Sequence, residues 1–136
     1  MMNDFNRPIT EEFHANGGKV GGPIKGVPLL LLTTTGAKSG KQRINLLAFT
    51  TDGERLVIVA AKNGAPTHPD WYYNLVAHPD VTVAVATDTF AARATVVDGA
   101  ERDELFDNMA AMLPIYAEYQ AQITRTIPVV VLTRKE

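Results

Sequence analysis

The residues with the clearest chemical potential lie in one short stretch, residues 33–43, with the sequence TTTGAKSGKQR. Lys38, Lys41 and Arg43 supply positive charge there, and two glycines allow the backbone to approach a ligand closely. Lys and Arg are the side chains that bind phosphate and carboxylate groups. The stretch therefore predicts a loop that binds the anionic end of a ligand, although a basic, glycine-containing loop is also typical of a solvated hairpin connection.

The spacing of this stretch excludes a nucleotide-binding P-loop. That motif has four residues between its glycines and a Ser or Thr directly after its Lys. Here three residues separate Gly36 from Gly40, and Gln42 follows Lys41. The apolar run that comes next predicts a strand rather than a helix. Ser39, the single serine of the chain, is accordingly interpreted as a hydrogen-bond donor to phosphate and not as a nucleophile.

A second group of interest is the run Trp71-Tyr72-Tyr73-Asn74, which follows a Gly/Pro-rich loop that contains Lys62. Trp71 and Asn74 are three positions apart and lie on one face of a predicted helix. An aromatic ring and an amide can pack against a planar heteroaromatic ring and hydrogen-bond to it. On these residues alone, an anchor for a short helix in the core is the stronger interpretation of Trp71.

The other reactive side chains form no arrangement typical of metal or acid–base chemistry. His14, His68 and His78 are scattered, with no H-x-x-H pair and no carboxylate cluster nearby, so no metal site is predicted. No paired carboxylates and no Ser-His-Asp spacing are present, so an enzyme built on this chain would need a cofactor. The absence of cysteine excludes disulfides, thiolate metal sites and cysteine nucleophiles.

Composition predicts one small domain with a substantial core. The chain has 136 residues and 46% hydrophobic residues. Its net charge of −2 gives no indication of nucleic-acid binding, yet the stretch between Phe13 and Thr51 holds five basic residues and no acid. We expect a cationic face that attracts an acidic small ligand. No signal peptide or transmembrane segment is predicted, so we expect a cytoplasmic protein, with contact at the inner face of the membrane left open.

Six apolar or alternating runs predict strands, which are residues 29–35, 42–51, 55–61, 81–86, 90–97 and 129–133. Short helices are predicted from Thr10, over residues 70–77, from Asp98 to the residue before Pro114, and over residues 115–122. Asp52-Gly53 predicts a hairpin turn. We therefore expect an N-terminal helix and arm (residues 1–27) and one mainly β (α+β) domain (residues 28–136), an antiparallel barrel with helices over its ends.

Several segments taken together resemble the deazaflavin-dependent nitroreductase family. The matching segments are LTTTGAKSG (32–40) with Arg43, AAKNGA (60–65), HPDWYYNL (68–75), YAEYQ (116–120) and RTIPV (125–129). The match runs from residue 28 to the C-terminus, with the motifs in one order. The resemblance implies a six-stranded split β-barrel, similar to FMN-binding split barrels, that uses coenzyme F-420. It favours ligand binding over a plain hairpin for the first loop.

Residue by residue, the resemblance implies roles for three groups of side chains. Ala37, Lys38, Ser39 and Arg43 match positions that hold the coenzyme's phosphate and acidic tail, although the family usually has Arg where this chain has Ala37. The positions along the ring and linker correspond to Ile44, Asn45, Leu46, Val59, Ala60, Ala61, Lys62, Asp70, Trp71, Tyr72, Tyr73 and Asn74. Tyr116 and Tyr119 match residues near the substrate and are the predicted catalytic residues.

The implied activity is that of an oxidoreductase. Reduced coenzyme F-420 would transfer a hydride to a flat conjugated acceptor, which could be a quinone, an enone or lactone, or a nitroaromatic. Tyr116 is the predicted hydrogen-bond donor to the negative charge that develops on the acceptor. Ala48, Ala61 and Leu113 stand where the nitroimidazole-reducing members carry hydroxyl-bearing side chains. The resemblance therefore implies the cofactor more firmly than it implies nitroimidazole reduction.

Two other functions fit the same residues. One is a non-catalytic carrier or store of the deazaflavin, and the other is an FMN-binding split-barrel reductase. The predicted partners are a planar, apolar small molecule and a second copy of the chain in a homodimer. Binding of single-stranded nucleic acid is disfavoured by the net negative charge and by the lack of repeated exposed aromatic residues.

Overall fold

The computed structural model describes residues 28–135. The predicted N-terminal helix from Thr10, the arm that follows it and His14 lie outside the described residues. The division of the chain at residue 27 therefore stays a prediction.

The described chain forms seven strands, three α-helices and one 3₁₀ turn. The strands are β1 (Leu29–Thr35), β2 (Gln42–Ala48), β3 (Thr50–Asp52), β4 (Arg55–Val59), β5 (Asp80–Val85), β6 (Asp88–Val97) and β7 (Val129–Arg134). The helices are α1 (Asp70–Ala77), α2 (Gly99–Met112) and α3 (Ile115–Gln122), and the 3₁₀ turn covers Lys62–Gly64.

All seven strands belong to one antiparallel sheet, in the order β2-β1-β5-β6-β7-β4-β3. β2 and β3 are its two edges, yet Phe49 alone separates Ala48 in β2 from Thr50 in β3. Two residues span at most about 7 Å. The two edge strands therefore follow each other end to end. The sheet closes into a barrel because this run pairs with β1 before Phe49 and with β4 after it, as the split β-barrel prediction requires.

The strand count differs from the predicted six because the predicted strand over residues 42–51 is divided at Phe49. Up to Ala48 the chain pairs with β1, and from Thr50 onward it pairs with β4. The Phe49 N–H donates to the Pro28 carbonyl at 3.1 Å. The division marks the point where one run of residues leaves one edge of the sheet and joins the other.

The interior of the barrel is filled by alternate residues of the strands. Leu30 and Leu32 of β1 are fully buried inside it, and Ile58 of β4 joins the same cluster. Trp71 and Leu75 of α1 also pack into this cluster, four positions apart on one helical face. α1 therefore covers an opening of the barrel and is anchored by its aromatic residue.

A second hydrophobic cluster lies on the outer surface of β4 and β7. Val57 and Val131 point away from the barrel interior and are covered by Leu105, Phe106 and Met109 of α2. These α2 residues lie within one helical turn of each other, as an apolar helix face packed on a sheet requires. Because β4 is covered on both surfaces, its sequence shows a continuous apolar run instead of an alternation.

β4 ends at Val59, two residues before the predicted end of the strand. The carbonyls of Ala60 and Ala61 accept hydrogen bonds from the Arg125 guanidinium, at 3.0 and 2.8 Å, instead of from a neighbouring strand. The chain then turns through Lys62–Gly64 toward α1. A side chain distant in the sequence therefore decides where this strand stops.

Candidate functional site

A cavity of about 700 Å³ lies between the loop that joins β1 to β2, the first residues of β2, and α1. It is lined by Gly36, Ala37, Lys38, Ser39, Arg43, Ile44, Asn45, Asp70, Trp71, Tyr73 and Asn74. All of these except Gly36 belong to the predicted cofactor-binding set. Its volume is within the range of sites that bury a small ligand. The fold thus gathers two stretches that the sequence places more than two dozen positions apart.

The basic loop is closed by its own backbone. The Gly36 N–H donates to the Lys41 carbonyl at 2.7 Å, and the Gly40 N–H donates to the Gly36 carbonyl at 3.0 Å. Gly40 has φ +70°, a conformation that favours glycine. A Cβ atom on Gly36 would lie 2.5 Å from Ser39 Oγ. Both glycines are therefore required by the geometry of the loop itself.

The cations of this loop have no carboxylate partner within residues 28–135. Lys38, Lys41 and Arg43 are exposed, and no carboxylate of that range lies at ion-pair distance from any of them. Lys38 and Arg43 line the cavity and Lys41 does not. The cavity therefore has two cationic groups at its loop end, which is the chemistry that an anionic ligand group requires.

Asn74 connects α1 to the basic loop. It is only 8% exposed, and its Oδ1 accepts a hydrogen bond from the Ala37 N–H at 3.0 Å. Its Nδ2 donates to Thr34 Oγ1 at 3.2 Å. The sequence predicted a contact between Asn74 and the cofactor, and this stays a prediction. The structure adds a positioning role that the sequence did not indicate, because both partners of the amide lie on β1 and its loop.

Trp71 anchors α1 in the core, as these residues alone indicated, and its contact with a planar ligand stays a prediction. It is 6% exposed and packs into the interior cluster, yet it also lines the cavity. Asp70, in the first turn of α1, is exposed and lines the same space. Because Trp71 is held by the barrel core, the wall that it forms is rigid.

The cavity lining does not include eight residues of the predicted site. These are Leu46, Val59, Ala60, Ala61, Lys62, Tyr72, Tyr116 and Tyr119. Leu46 lies on the outer surface of the barrel beside Leu29 and Leu31. Val59, Ala60 and Ala61 are buried in the hydrophobic clusters. The roles of all eight toward a ligand stay predictions.

The two predicted catalytic tyrosines form a pair on α3. The Tyr116 and Tyr119 ring centroids are 6.1 Å apart at an interplanar angle of 73°. They pack on the cluster that α2 covers, on the outer surface of β4. Burial, and to a smaller extent Tyr119, raises the pKa of the Tyr116 hydroxyl above its usual value. Tyr116 is therefore protonated at neutral pH and can act as a hydrogen-bond donor.

Arg125 and His68 connect the region of the tyrosines to the cavity. Arg125 bonds backbone carbonyls of the segment between β4 and α1, and its NH1 lies 2.8 Å from His68 Nδ1. The His68 ring contacts the Tyr73 ring, which lines the cavity. The sequence analysis included neither residue in the site. No local pattern could have found the pair, because its members are 57 positions apart.

Within the described part of the chain, no group of three or more His, Cys, Asp or Glu side chains is placed to hold a metal ion. No helix of residues 28–135 is long and apolar enough to cross a membrane. The expected cytoplasmic location, and contact with the inner face of the membrane, stay predictions.

The comparisons with known proteins agree with this geometry. The model of the F420H(2)-dependent quinone reductase family matches residues 5–134. The F420H(2)-dependent quinone reductase Rv1261c of Mycobacterium tuberculosis is 39% identical over 130 residues, which cover 90% of this chain and 85% of the relative.

Two solved structures are also similar. One, an F420-H2 dependent reductase (FDR-A), has a TM-score of 0.72 and 39% identity, covering 77% of this chain and 93% of the other. The second, described as a domain-swapped dimer, has a TM-score of 0.74 and 36% identity, covering 95% and 97% of the two chains. The predicted deazaflavin-dependent family and the split β-barrel are thus confirmed, and the chain belongs to the F420H(2)-dependent quinone reductase family.

Proposed function

We propose that this protein is an oxidoreductase that transfers a hydride from reduced coenzyme F-420 to a quinone. The observation that carries the proposal is the cavity in which cations of the basic loop and the aromatic residues of α1 face one space. The names of the family and of its relatives specify the same coenzyme and acceptor. Coenzyme F-420 supplies the hydride when it is bound. The protein supplies the binding site, the orientation of the coenzyme and a wall that excludes water.

The charges around the cavity favour one orientation of the bound coenzyme. Lys38 and Arg43 attract the phosphate and the acidic tail, and Ser39 supplies a hydroxyl donor. Asp70 repels the same groups, since like charges disfavour each other. The anionic tail is therefore bound at the loop, and the ring lies toward Trp71 and Tyr73 on α1.

The acceptor is proposed to lie toward α3. Tyr116 is the candidate donor to the oxygen of the quinone that gains negative charge, because its hydroxyl stays protonated at neutral pH. Tyr119, beside it, is proposed to pack against the acceptor ring. Both roles rest on the family resemblance together with the position of the tyrosines next to the segment that borders the cavity.

We also propose that two copies of the chain associate. The outer surface of β1, β2 and β5 carries an apolar patch, in which Leu29, Leu31 and Ala84 are buried and Ile44, Leu46 and Ala48 are partly exposed. A similar solved structure is described as a domain-swapped dimer. Substitution of Ala48→Arg should convert a dimer into a monomer in light scattering, because it would bury a charge at this patch. A dimer that survives this substitution would place the interface elsewhere.

The test of the cofactor site is a fluorescence titration with oxidised coenzyme F-420, run beside FMN and at two salt concentrations. Lys38→Ala should weaken F-420 binding about tenfold, the loss expected for one charged hydrogen bond. Lys41→Ala is the matched control, since it removes the same charge from the same loop but from a side chain outside the cavity lining. Equal loss in both variants would mean that only the overall charge of the loop matters.

Measurement of turnover distinguishes a reductase from a non-catalytic carrier of the coenzyme. Oxidation of reduced coenzyme F-420 in the presence of a soluble naphthoquinone should be catalysed by the wild-type protein. Tight, salt-sensitive binding of F-420 without turnover on any quinone would contradict the reductase assignment and favour a carrier. Binding of FMN alone would contradict the cofactor assignment.

A further inference from the structure

We propose that Arg125 and His68 form a positioning pair that holds the segment between β4 and α1 (residues 60–68) against the cofactor cavity. The pair operates while His68 Nδ1 is free to accept a hydrogen bond from Arg125. The inference rests on the proposed function, because the segment packs through His68 against Tyr73, which lines the cavity assigned to the coenzyme.

The Arg125 guanidinium is the main cross-link to residues 60–68. Its Nε donates to the Ala65 carbonyl at 3.0 Å, NH1 to the Ala60 carbonyl at 3.0 Å, and NH2 to the Ala61 carbonyl at 2.8 Å. NH1 also lies 2.8 Å from His68 Nδ1. Four acceptors are thus held by one planar group whose donors have a fixed geometry, which the single ammonium of Lys cannot reproduce.

Residues 60–68 contact both halves of the proposed active site. On one side, Gly64 lies so close to Tyr119 that a Cβ atom there would be 2.9 Å from Tyr119 Cδ1. On the other side, the His68 ring lies 5.7 Å from the Tyr73 ring, which lines the cavity. A shift of this segment would therefore move the wall of the cavity and the tyrosine together.

The backbone of this segment needs such a constraint. Lys62 has φ +50°, in the left-handed region that residues with a Cβ atom rarely adopt. Strained conformations of this kind persist when surrounding contacts over-determine them. The hydrogen bonds from Arg125 to the carbonyls of Ala60, Ala61 and Ala65 lie on both sides of Lys62 in the sequence. They supply the contacts that hold Lys62 in this conformation.

Arg125 is itself fixed by α2 and α3. Its backbone carbonyl accepts from Gln120 Nε2 at 2.8 Å, and Gln120 Oε1 accepts from the Ile127 N–H at 2.8 Å and from Arg102 NH2 at 2.9 Å. Arg102 also donates to the Ile127 carbonyl. Arg102 is thus a second half-buried arginine in the same network, and its hydrogen bond to Gln120 helps to hold Arg125 in place.

The ring nitrogen of His68 that carries the proton can be inferred from its contact with Arg125. A guanidinium can only donate, so His68 Nδ1 must accept and the proton of the neutral ring is on Nε2. Burial, followed by the positive charge of Arg125, lowers the pKa of His68. The rings of Tyr72 and Tyr73 pack against it from α1.

The charged residues of the loop that contains His68 do not offset this lowering of its pKa. The Lys62 ammonium donates a hydrogen bond to Thr67, which precedes His68. Asp70 lies two positions after His68 and is exposed, and among the described residues it forms no ion pair with the imidazole. A second proton on His68 would place N–H against N–H and displace Arg125. Binding of coenzyme F-420 should then weaken at acid pH.

The test uses the full chain and two readouts. Nitrogen-15 NMR of the imidazole in the ligand-free protein should show the Nε2–H tautomer at neutral pH. The dissociation constant for F-420 is then measured between about pH 5 and 8, the range in which His titrates. In the wild-type protein the affinity should fall on the acid side of this range.

His68→Asn distinguishes the role of Nδ1 as a hydrogen-bond acceptor from the effect of its protonation. An amide oxygen can accept the same hydrogen bond in place of Nδ1 but carries no titrating proton. It should retain the neutral-pH affinity within about twofold and lose the acid decline. Arg125→Lys should weaken binding about tenfold at neutral pH, the loss expected for a charged hydrogen bond. Arg134→Lys should stay within about twofold, because Arg134 is exposed, pairs with Asp88 and lies outside this network, so that the change is an ordinary substitution away from the site.

Three results would overturn the proposal. The first two are a proton on His68 Nδ1 in the ligand-free protein, and an acid decline in His68→Asn equal to that of the wild-type protein. The third is an equal loss of affinity in Arg125→Lys and Arg134→Lys, since the effect would then not depend on contact with residues 60–68. If no variant and no wild-type protein binds F-420, the proposed function fails, while the tautomer still decides the pairing of Arg125 with His68.

Discussion

The Asn74 side-chain oxygen accepts a hydrogen bond from the Ala37 N–H at 3.0 Å, across 37 positions of sequence. The same amide donates to Thr34 Oγ1 at 3.2 Å. Through these two bonds α1, which forms one wall of the cavity, fixes the start of the basic loop, which forms the other. The distance between the aromatic wall and the cations is therefore set by one buried side chain.

We predict that Thr34→Val weakens coenzyme binding although Thr34 does not line the cavity. The variant keeps the shape of the side chain but leaves Asn74 Nδ2 without its partner, at a cost of about 1–3 kcal/mol for an unsatisfied buried group. Asn74→Ala should reduce both F-420 affinity and the free energy of unfolding. Fluorescence titration and urea unfolding measure the two effects.

The pair of variants distinguishes positioning from direct contact. If Asn74 acts only by touching the coenzyme, Asn74→Ala will lose affinity and Thr34→Val will bind as the wild-type protein does. A loss of affinity in both variants, with Thr34→Val less affected, is the outcome expected for a loop held in place.

Gly64→Ala should destabilise the protein more than Gly53→Ala. Both glycines have positive φ, +80° and +62°, so both substitutions carry the backbone strain of a left-handed residue, about 1 kcal/mol or more. A Cβ atom on Gly53 would meet nothing within 4 Å, whereas one on Gly64 would press on the Tyr119 ring. The difference between their melting temperatures isolates the contact with Tyr119. Equal melting temperatures would show that the tyrosine moves aside freely.

Tyr116→Phe should lower kcat for quinone reduction by about tenfold or more, while the dissociation constant for F-420 stays unchanged. One catalytic hydrogen bond to developing charge contributes about 2–4 kcal/mol when it is fully formed. Tyr72→Phe is a suitable control, since it removes a hydroxyl from α1 and leaves α3 intact. Weaker coenzyme binding with unchanged kcat would refute the assigned role of Tyr116.

The free energy of unfolding should decrease as the pH falls below the ordinary His pKa of about 6.5. The pKa of His68 is lowered in the folded protein, so the unfolded chain binds more protons between the two pKa values. Stability therefore rises with pH through this window, and the contribution of His68 is complete above the unfolded-state pKa. Urea midpoints measured at pH 5.5 and 7.5 check this.

His68→Asn should show a smaller change in midpoint than the wild-type protein over the same pH interval. An identical change in the two proteins would assign the pH dependence to other groups, such as Asp80, whose pKa is lowered by its hydrogen bond to Lys135. That carboxylate titrates at lower pH, where its contribution is lost as the pH falls through its folded-state pKa.

Several parts of the protein could be predicted from the sequence because their signals are local. The apolar run at residues 29–35, the turn at Gly53 and the helix over residues 115–122 all appear where they were predicted. The strand predicted over residues 55–61 is also present, but it ends at Val59. The basic loop was recognisable because charge and glycine occur together in it. The resemblance of several ordered motifs then implied the family, which the comparisons confirm.

Only the tertiary structure decided how these parts meet. The division of one predicted strand at Phe49, the amide of Asn74 bonded to the loop, and Arg125 bonded to four acceptors all join residues that no periodicity relates. Hydrophobic patterning specifies which face of a strand or helix is buried, because burial repeats along one element. Hydrogen bonds between distant elements depend on where the closed barrel places them, and that is settled only when the whole sheet has formed.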